Sequence, residues 1–193
     1  MDLSASTPRL RREQVAGMNI HYIMWSLDYF LDAQQRLGFK TIELWAAEPH
    51  VTLDHTGYFE ADELRRKIES RGLSVSSLCP ENVVYPWQYA ARKPLHAQRS
   101  LAYFKHGIEL AEVLGAPYMS INSGWGDWDE DREEAWKRSA EHLAILADYA
   151  GEHGVTLCME SLRPEESNLV VTLADARRML DQVASPHLTP MAV

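Results

Sequence analysis

Short apolar runs alternate with longer amphipathic stretches along almost the whole chain, and this alternation constrains the fold more than any other feature. The apolar runs are residues 18–23, 40–45, 73–79, 118–122, 155–160 and 187–193. Between them, apolar residues recur every three or four positions, the period of a helix with one buried face. One such stripe, in which we expect Trp136 to be a core residue, consists of Trp136, Ala140, Leu143, Ala147 and Ala150. The order predicts six strands with five helices between them.

Local signals for the ends of helices agree with these boundaries. A glycine follows four of the helical stretches and precedes a strand, at Gly38, Gly72, Gly115 and Gly154. Glycine suits the position after a helix because it adopts the left-handed conformation without a Cβ clash. Thr172 followed by Asp175 resembles a capping box, with Asp in place of the usual Glu or Gln, and predicts the start of the last helix.

Strict β-α alternation without a hairpin signal predicts a parallel sheet covered by helices. Two α/β architectures fit: an open doubly wound sheet and a partial (β/α)8 TIM barrel. No G-x-G-x-x-G sequence follows the first predicted strand, so the dinucleotide-binding form of the open sheet lacks its fingerprint. A complete barrel needs about 250 residues. The 193 residues therefore correspond to about six of its eight strands.

Charge and cysteine content limit the partners and the compartment. The net charge of −9 argues against general affinity for nucleic acid or acidic membranes, because the field repels phosphate. Cys79 and Cys158 lie in separate strand-like runs and predict two buried thiols in a reducing compartment. The first residues lack the apolar segment of a secretory signal. We expect a soluble cytoplasmic protein in which residues 1–12 are a flexible leader and residues 13–193 an incomplete barrel domain.

In either architecture, ligands bind at the carboxyl ends of the strands, and the fifth predicted strand is the most informative there. Side chains alternate faces along a strand, so Thr156, Cys158 and Glu160 share one face and Val155, Leu157 and Met159 the other. The smaller set suits a barrel interior and ends in a carboxylate. A Glu ending an apolar strand costs desolvation free energy unless it is paired or bound to a cation. Glu160 is therefore the catalytic candidate; the alternatives are exposure to solvent and an ion pair with Arg163.

Polar and aromatic residues follow the other predicted strands. His50 follows the second strand, Glu81 the third, Asn122 and Trp125 the fourth, and Glu166 lies in the loop after the fifth. Carboxylates and amides hydrogen-bond hydroxyl groups, and indole faces cover C–H surfaces, so this set suits a polyhydroxylated small molecule. The alternative is ordinary surface loops, with His50 a loop histidine and an Arg–Glu surface pair after strand five.

Three segments resemble a known superfamily. Residues 38–45, Gly-Phe-Lys-Thr-Ile-Glu-Leu-Trp, with Pro49 and His50 after them, resemble the second unit of the xylose-isomerase-like sugar isomerases and epimerases. Pro80-Glu81-Asn82 with Tyr85-Pro86 is similar to the third-strand loop of the fructoselysine and D-tagatose 3-epimerase branch. Residues 160–168 are similar to its fifth-strand motif, a Glu followed six residues later by Glu-Ser-Asn.

The resemblance implies a barrel that holds Mn²⁺, Co²⁺ or Mg²⁺ with two Glu, one Asp and one His from strands five to eight. The two Glu act as acid and base through a cis-enediolate. Glu160 matches the first metal ligand and one catalytic carboxylate, and Glu166 matches a substrate-binding Glu. The resemblance places the metal-binding Asp at the end of strand six, where the sequence has Val193. It places the metal-binding His and the second Glu on strands seven and eight. With one ligand of four, we expect no tight metal binding and no catalysis by the chain unaided.

These observations leave three hypotheses of different classes. The first is a metal-dependent ketose or ketosamine 3-epimerase or isomerase that binds a small sugar, forms homo-oligomers and does not bind nucleic acid or membranes. The second is a non-catalytic truncated barrel that serves as an assembly partner through its open sixth strand. The third, abasic-site DNA cleavage, requires histidines at the ends of strands three and four, where the sequence has Cys79-Pro80-Glu81 and Asn122-Ser123-Gly124.

Overall fold

The computed structural model describes residues 10–83 and 86–192, and one parallel six-stranded sheet organises them. Its strands are β1 (Gly17–Met18), β2 (Thr41–Ala46), β5 (Ser74–Pro80), β6 (Tyr118–Ile121), β7 (Thr156–Met159) and β8 (Leu188–Pro190). The helices are α1 (Leu27–Leu37), α2 (Ala61–Glu69), α3 (Pro94–Val113), α4 (Arg132–Glu152) and α5 (Leu173–Val183). A separate antiparallel ribbon consists of β3 (Leu53–Asp54) and β4 (Gly57–Tyr58). The predicted six parallel strands and five helices are confirmed.

The order of the sheet distinguishes the two predicted architectures. Its strands follow one another in chain order, β1-β2-β5-β6-β7-β8, and every pairing is parallel. A doubly wound sheet reverses its order at a switch point. A sheet that adds each new strand on the same side, with a helix between neighbours, is the wall of a (β/α)8 barrel.

The predicted first strand was too long. Only Gly17–Met18 pairs with β2, and Asn19–Tyr22 forms a 3-10 turn. The buried Asn19 side chain explains the early end: its Oδ1 accepts from the Trp45 N–H at 2.7 Å and its Nδ2 donates to the Trp45 carbonyl at 3.0 Å. The Asn19 side chain thus bonds the Trp45 N–H and carbonyl, the backbone groups with which a longer β1 would have paired.

One hairpin occurs outside the parallel sheet although no hairpin signal was found in the sequence: β3 and β4 pair after β2. Asp54 stabilises the turn, since its Oδ1 accepts from both the backbone N–H and the hydroxyl of Thr56 at 2.6 Å. Gly57 has φ +152°, a conformation that favours glycine. Two-residue strands carry no measurable periodicity, so the pattern of apolar residues could not reveal this ribbon.

Helix ends and the core agree with the sequence. The Thr172 hydroxyl accepts from the Asp175 N–H at 3.1 Å and the Asp175 carboxylate accepts from the Thr172 N–H at 3.0 Å, which completes the predicted capping box. The four glycines after helices all have positive φ, from 67° to 78°. Trp136 is buried in the core, as predicted. So are the outward residues Val155, Leu157 and Met159.

Several expectations concern residues at the margins of the described chain. Residues 1–9 of the predicted leader, Tyr85 and Val193 lie outside the described residues. Residues 10–12 are exposed, and a 3-10 turn spans Arg12–Gln14. Cys79 and Cys158 are free thiols, half-buried rather than fully buried. No helix among residues 10–83 and 86–192 has the length and apolar character needed to cross a membrane.

Candidate active site

The inward face of the barrel wall carries the candidate site. On β7, Leu157 and Met159 are buried against the helices, whereas Thr156, Cys158 and Glu160 are half-buried on the opposite face. The same alternation on β2 buries Ile42 and Leu44 on the helix side and leaves Glu43 inside. The predicted division of residues 155–160 into two faces therefore agrees with the structure.

Glu160 lies directly after β7, where its N–H donates to the Ile121 carbonyl at 2.8 Å. Its carboxylate makes no hydrogen bond or ion pair with any described side chain. Burial raises the pKa of Glu160, and the negative charges of Glu43 and Glu166 raise it further. The alternative pairing with Arg163 does not occur, because Arg163 bonds Glu166 instead. Glu160 is a free carboxylate with enhanced basicity at the mouth of the wall.

Glu43 is a second inward carboxylate, and it was not among the predicted site residues. Burial raises its pKa, and its carboxylate also lacks a hydrogen-bonding partner among the described side chains. The alternation of Ile42 and Leu44 with Glu43 carried the signal that could have identified it.

The two inward thiols are not activated nucleophiles. Burial raises the pKa of Cys79 to about 12 and also raises the pKa of Cys158. The charge of Glu43 raises both pKa values further. Because the thiolate is the reactive form, these raised pKa values disfavour reaction at both thiols.

Glu81 is held at the carboxyl end of β5. The Trp45 indole Nε1–H donates to Glu81 Oε2 at 3.0 Å, and the Val83 N–H donates to Glu81 Oε1 at 3.2 Å. These two bonds fix the orientation of a half-buried carboxylate beside the inward face of β2. Trp45, which was not a predicted site residue, therefore orients a predicted one.

His50 lies after β2 with both ring nitrogens engaged. The Asn19 amide donates to Nδ1 at 3.0 Å, so Nε2 carries the proton and donates to the Trp25 carbonyl at 2.8 Å. This arrangement fixes a neutral tautomer and ties the loop after β1 to the loop after β2. Substrate binding by His50 stays a prediction.

Asn122 follows β6, and its side chain is fully engaged inside the protein. It is 1% exposed. Its amide donates to the Asn82 backbone carbonyl at 2.8 Å and to Asn82 Oδ1 at 2.6 Å, and its own Oδ1 accepts from the Gly124 N–H at 2.7 Å. Asn122 thus joins the loop after β5 to the loop after β6. Its contact with a substrate stays a prediction.

Trp125 and Glu166 line one cavity, as two candidates for the same ligand would. The cavity has a volume of about 300 Å³, lies between the loops after β6 and β7, and is lined by Trp125, Gly126, Asp127, Trp128, Pro164, Glu165, Glu166, Ser167 and Asn168. The hydrogen bond from Arg163 lowers the pKa of Glu166. Glu166 is therefore ionised and oriented, whereas Glu160 nearby is unpaired.

The described residues do not form a metal site by themselves. Among residues 10–83 and 86–192, no three or more His, Cys, Asp and Glu side chains come together in a group able to hold a metal ion. A free carboxylate such as Glu160 suits one ligand position for Mn²⁺ or Mg²⁺. One such donor does not fit a complete site.

The parallel wall and its inward carboxylates match a known family. The sequence model described as Xylose isomerase-like TIM barrel matches residues 31–192. The chain belongs to the xylose isomerase-like TIM barrel family. Its six-stranded wall is thus a part of that barrel.

Named proteins similar to this xylose isomerase-like chain are sugar epimerases. Fructoselysine 3-epimerase of Shigella flexneri is 28% identical over 162 residues, which cover 84% of this chain and 58% of that protein. The Escherichia coli O157:H7 protein of the same name matches at the same identity and coverage. The chain therefore spans a little under three fifths of the length of these curated relatives.

Solved structures support the fold assignment. The structure of L-ribulose 3-epimerase superposes on this chain with a TM-score of 0.75 at 23% identity. The superposed region covers 91% of this chain and 59% of the L-ribulose 3-epimerase chain. D-psicose 3-epimerase with D-tagatose from Clostridium cellulolyticum H10 gives a TM-score of 0.69 at 19% identity, covering 85% of this chain and 56% of that chain. At these identities the likeness concerns the xylose isomerase-like fold alone.

Proposed function

We propose that the chain carries the base of a sugar epimerase or isomerase that acts on ketoses or ketosamines. The single observation that carries this proposal is Glu160, an unpaired half-buried carboxylate at the mouth of the wall. The similarity to fructoselysine 3-epimerase over 84% of the chain supports the substrate class.

The chemistry assigned to Glu160 is removal of a proton from C3 of the sugar. The proton moves to the carboxylate, and the C–H electron pair moves toward the C2 carbonyl, which gives a cis-enediolate. A second acid on the opposite face, the second Glu that the family resemblance implies, would return a proton to C3 and invert that carbon. In the absence of metal, burial and the neighbouring carboxylates raise the pKa of Glu160, which makes it a stronger base than an exposed Glu.

The remaining candidate residues suit contacts with the sugar. The Trp125 indole can cover a C–H face, and the ionised Glu166 can accept hydrogen bonds from hydroxyl groups in the cavity that both line. Glu81, oriented by Trp45, offers a second acceptor. His50 and Asn122 stay predicted contacts, although their polar atoms are already bonded inside the protein and a sugar would have to replace those bonds.

The proposed activity depends on a divalent metal, an assignment that rests on the resemblance to the family. Bound Mn²⁺, Co²⁺ or Mg²⁺ would polarise the carbonyl and hydroxyl oxygens of the sugar. Glu160 is the one ligand that we assign among the described residues. We therefore expect tight metal binding and turnover only where further ligands complete the site, and no turnover by residues 10–192 unaided.

The proposed activity is tested with a panel of ketoses and fructosamines and with Mn²⁺, Co²⁺ or Mg²⁺ added. The longest natural protein that contains this chain is incubated with each sugar, and epimers are separated by chromatography. The proposal predicts a 3-epimer from at least one substrate and none from the 193-residue chain alone. Absence of any epimer or isomer across the panel would reject it.

A further inference from the structure

The segment Gly124-Trp125-Gly126 has no regular secondary structure, and side chains from three loops bond its backbone. Asn122 Oδ1 accepts from the Gly124 N–H at 2.7 Å. The Ser167 hydroxyl donates to the Gly124 carbonyl at 2.7 Å. These bonds fix the backbone on the amino side of Trp125.

Gln88 binds the peptide groups of Trp125 itself. Its Nε2 donates to the Trp125 carbonyl, and its Oε1 lies 3.4 Å from the Trp125 N–H and 3.0 Å from the Ala90 N–H. Gln88 is held in turn, since its own N–H donates to the Ser100 hydroxyl at 2.7 Å. Trp125 is thus attached to the loop that follows β5.

Asn168 binds the next residue twice. Its Oδ1 accepts from the Gly126 N–H at 2.8 Å, and its Nδ2 donates to the Gly126 carbonyl at 3.0 Å. The Arg132 guanidinium donates to the Asn168 carbonyl at 2.7 Å and keeps the loop after β7 against the start of α4. With the bonds above, every backbone donor and acceptor from Gly124 to Gly126 has a side-chain partner.

Gly124 and Gly126 allow other atoms to approach the segment closely, and they also make its backbone flexible. Gly124 has φ +65°, and a Cβ at Gly126 would lie 2.5 Å from the Ala135 Cβ. A Cβ at Gly124 would lie 2.7 Å from Gln88 Oε1, so glycine lets the Gln88 side chain approach the backbone. Glycine flanks also leave the segment free to adopt many conformations. The side-chain bonds therefore limit the backbone conformations of the segment that carries the half-buried Trp125 indole.

We propose that Gln88 and Asn168 are positioning residues that hold the Trp125 indole in place before a ligand arrives. Asn168 also follows Glu166 on the loop after β7, so it keeps both walls of the 300 Å³ cavity in register. The benefit is preorganisation: ordering a wall at the time of binding weakens affinity, and ordering it beforehand avoids that loss. The sugar-binding part of this inference rests on the proposed function, whereas the ordering of the indole does not.

The experiment uses ¹⁹F NMR on the whole chain labelled with 5-fluorotryptophan. The Trp125→Phe substitution assigns the Trp125 resonance, and the buried Trp136 serves as an internal monitor of folding. D-tagatose is the ligand probe. The variants are Gln88→Ala, Asn168→Ala and Asn168→Asp, which keeps the oxygen that accepts from Gly126. Gln98→Ala, at an exposed position on α3, is the matched control.

The inference predicts a single sharp Trp125 resonance in the wild type and a shifted or broadened one in Gln88→Ala and Asn168→Ala, with Trp136 unchanged. The dissociation constant for D-tagatose should rise by about tenfold in these variants. Asn168→Asp should keep part of the wild-type resonance and part of the wild-type affinity. Gln98→Ala should change neither the Trp125 resonance nor the dissociation constant.

Two results separate the parts of this proposal. An unaltered Trp125 resonance in both alanine variants would overturn the positioning role. A disordered Trp125 in the variants, together with no response of the wild-type resonance to D-tagatose, would support positioning and count against the sugar contact in the proposed function.

Discussion

Glu43 and Glu160 both face the interior, and neither carboxylate has a hydrogen-bond partner among the described side chains. Burying an ionised carboxylate without a partner costs free energy, which appears as a raised pKa in both groups. Such unpaired groups persist where a ligand or a further chain segment supplies the partner. The two carboxylates should therefore lower the stability of the folded protein while they serve binding. Substitution of Glu43 tests the effect on stability.

Glu43→Gln should stabilise the protein at neutral pH. The pKa of Glu43 is raised in the folded state, so its ionisation opposes folding once the pH rises above the ordinary value near 4.5. Removing the charge should raise the Tm by about 2 °C at pH 7.5. The gain should disappear near pH 4, where the wild-type carboxyl is largely protonated in both states.

Thermal unfolding followed by circular dichroism at the two pH values measures this effect. Glu69→Gln, at an exposed position at the end of α2, is the matched control and should change the Tm at neither pH. A destabilised Glu43→Gln protein at pH 7.5 would mean that a partner already satisfies the carboxylate.

Sequence alone identified some of these residues and missed others for a definable reason. The alternation along residues 155–160 was enough to place Glu160 inside. Glu43 has the same alternation, since it lies between Ile42 and Leu44, whose side chains are buried on the helix side. Asn19 and Gln88 could not be identified, because their roles depend on backbone groups of Trp45 and Trp125 that are distant in sequence.

The elements of secondary structure follow from periodicity where they are long. Helices α3 and α4 have 20 and 21 residues, and their length gives many apolar residues three or four positions apart, so their existence was predictable. The β3–β4 ribbon and the turn at Asn19–Tyr22 were not, since strands of two residues and a 3-10 turn of four give too few positions for a period. Side-chain bonds from Asp54 and Asn19 determine them instead.

The start of α5 provides an element-scale prediction. Thr172→Ala removes the acceptor for the Asp175 N–H and should lower the free energy of unfolding by about 1 kcal/mol. In a domain of this size that corresponds to a Tm lower by roughly 2 to 4 °C. Thr172→Ser keeps the hydroxyl and should retain most of the stability in urea or thermal unfolding. Equal losses in both variants would show that the methyl group, and not the cap, matters.

At the scale of the molecule, β1 and β8 are the two outer strands of the sheet that residues 10–83 and 86–192 form. Strands β1 and β8 each pair with only one neighbour among the described residues. Pro190 lies on β8 and has no N–H to donate, which weakens that edge as a template. Gly17–Met18 on the other side carries no such protection. Unpaired edges of this kind favour association with another chain.

The open edges predict association of the chain with itself. Light scattering coupled to size exclusion should give a mass above 22.0 kDa that increases with protein concentration. Addition of Mn²⁺ should not change this mass, since the described residues contain no complete metal site. A mass of 22.0 kDa at every concentration would contradict the association and the expected homo-oligomer.

The central claim, that Glu160 is the base of a sugar epimerase, is tested most directly by exchange of the C3 hydrogen with solvent deuterium. The longest natural protein that contains this chain is incubated with Mn²⁺ and a reactive ketose or fructosamine in D₂O, and NMR follows the C3 position. We predict exchange in the wild type and in Glu69→Gln, and a loss of about 10³-fold or more in Glu160→Gln, typical of removing a catalytic acid–base group. Exchange at the wild-type rate in Glu160→Gln would contradict the claim.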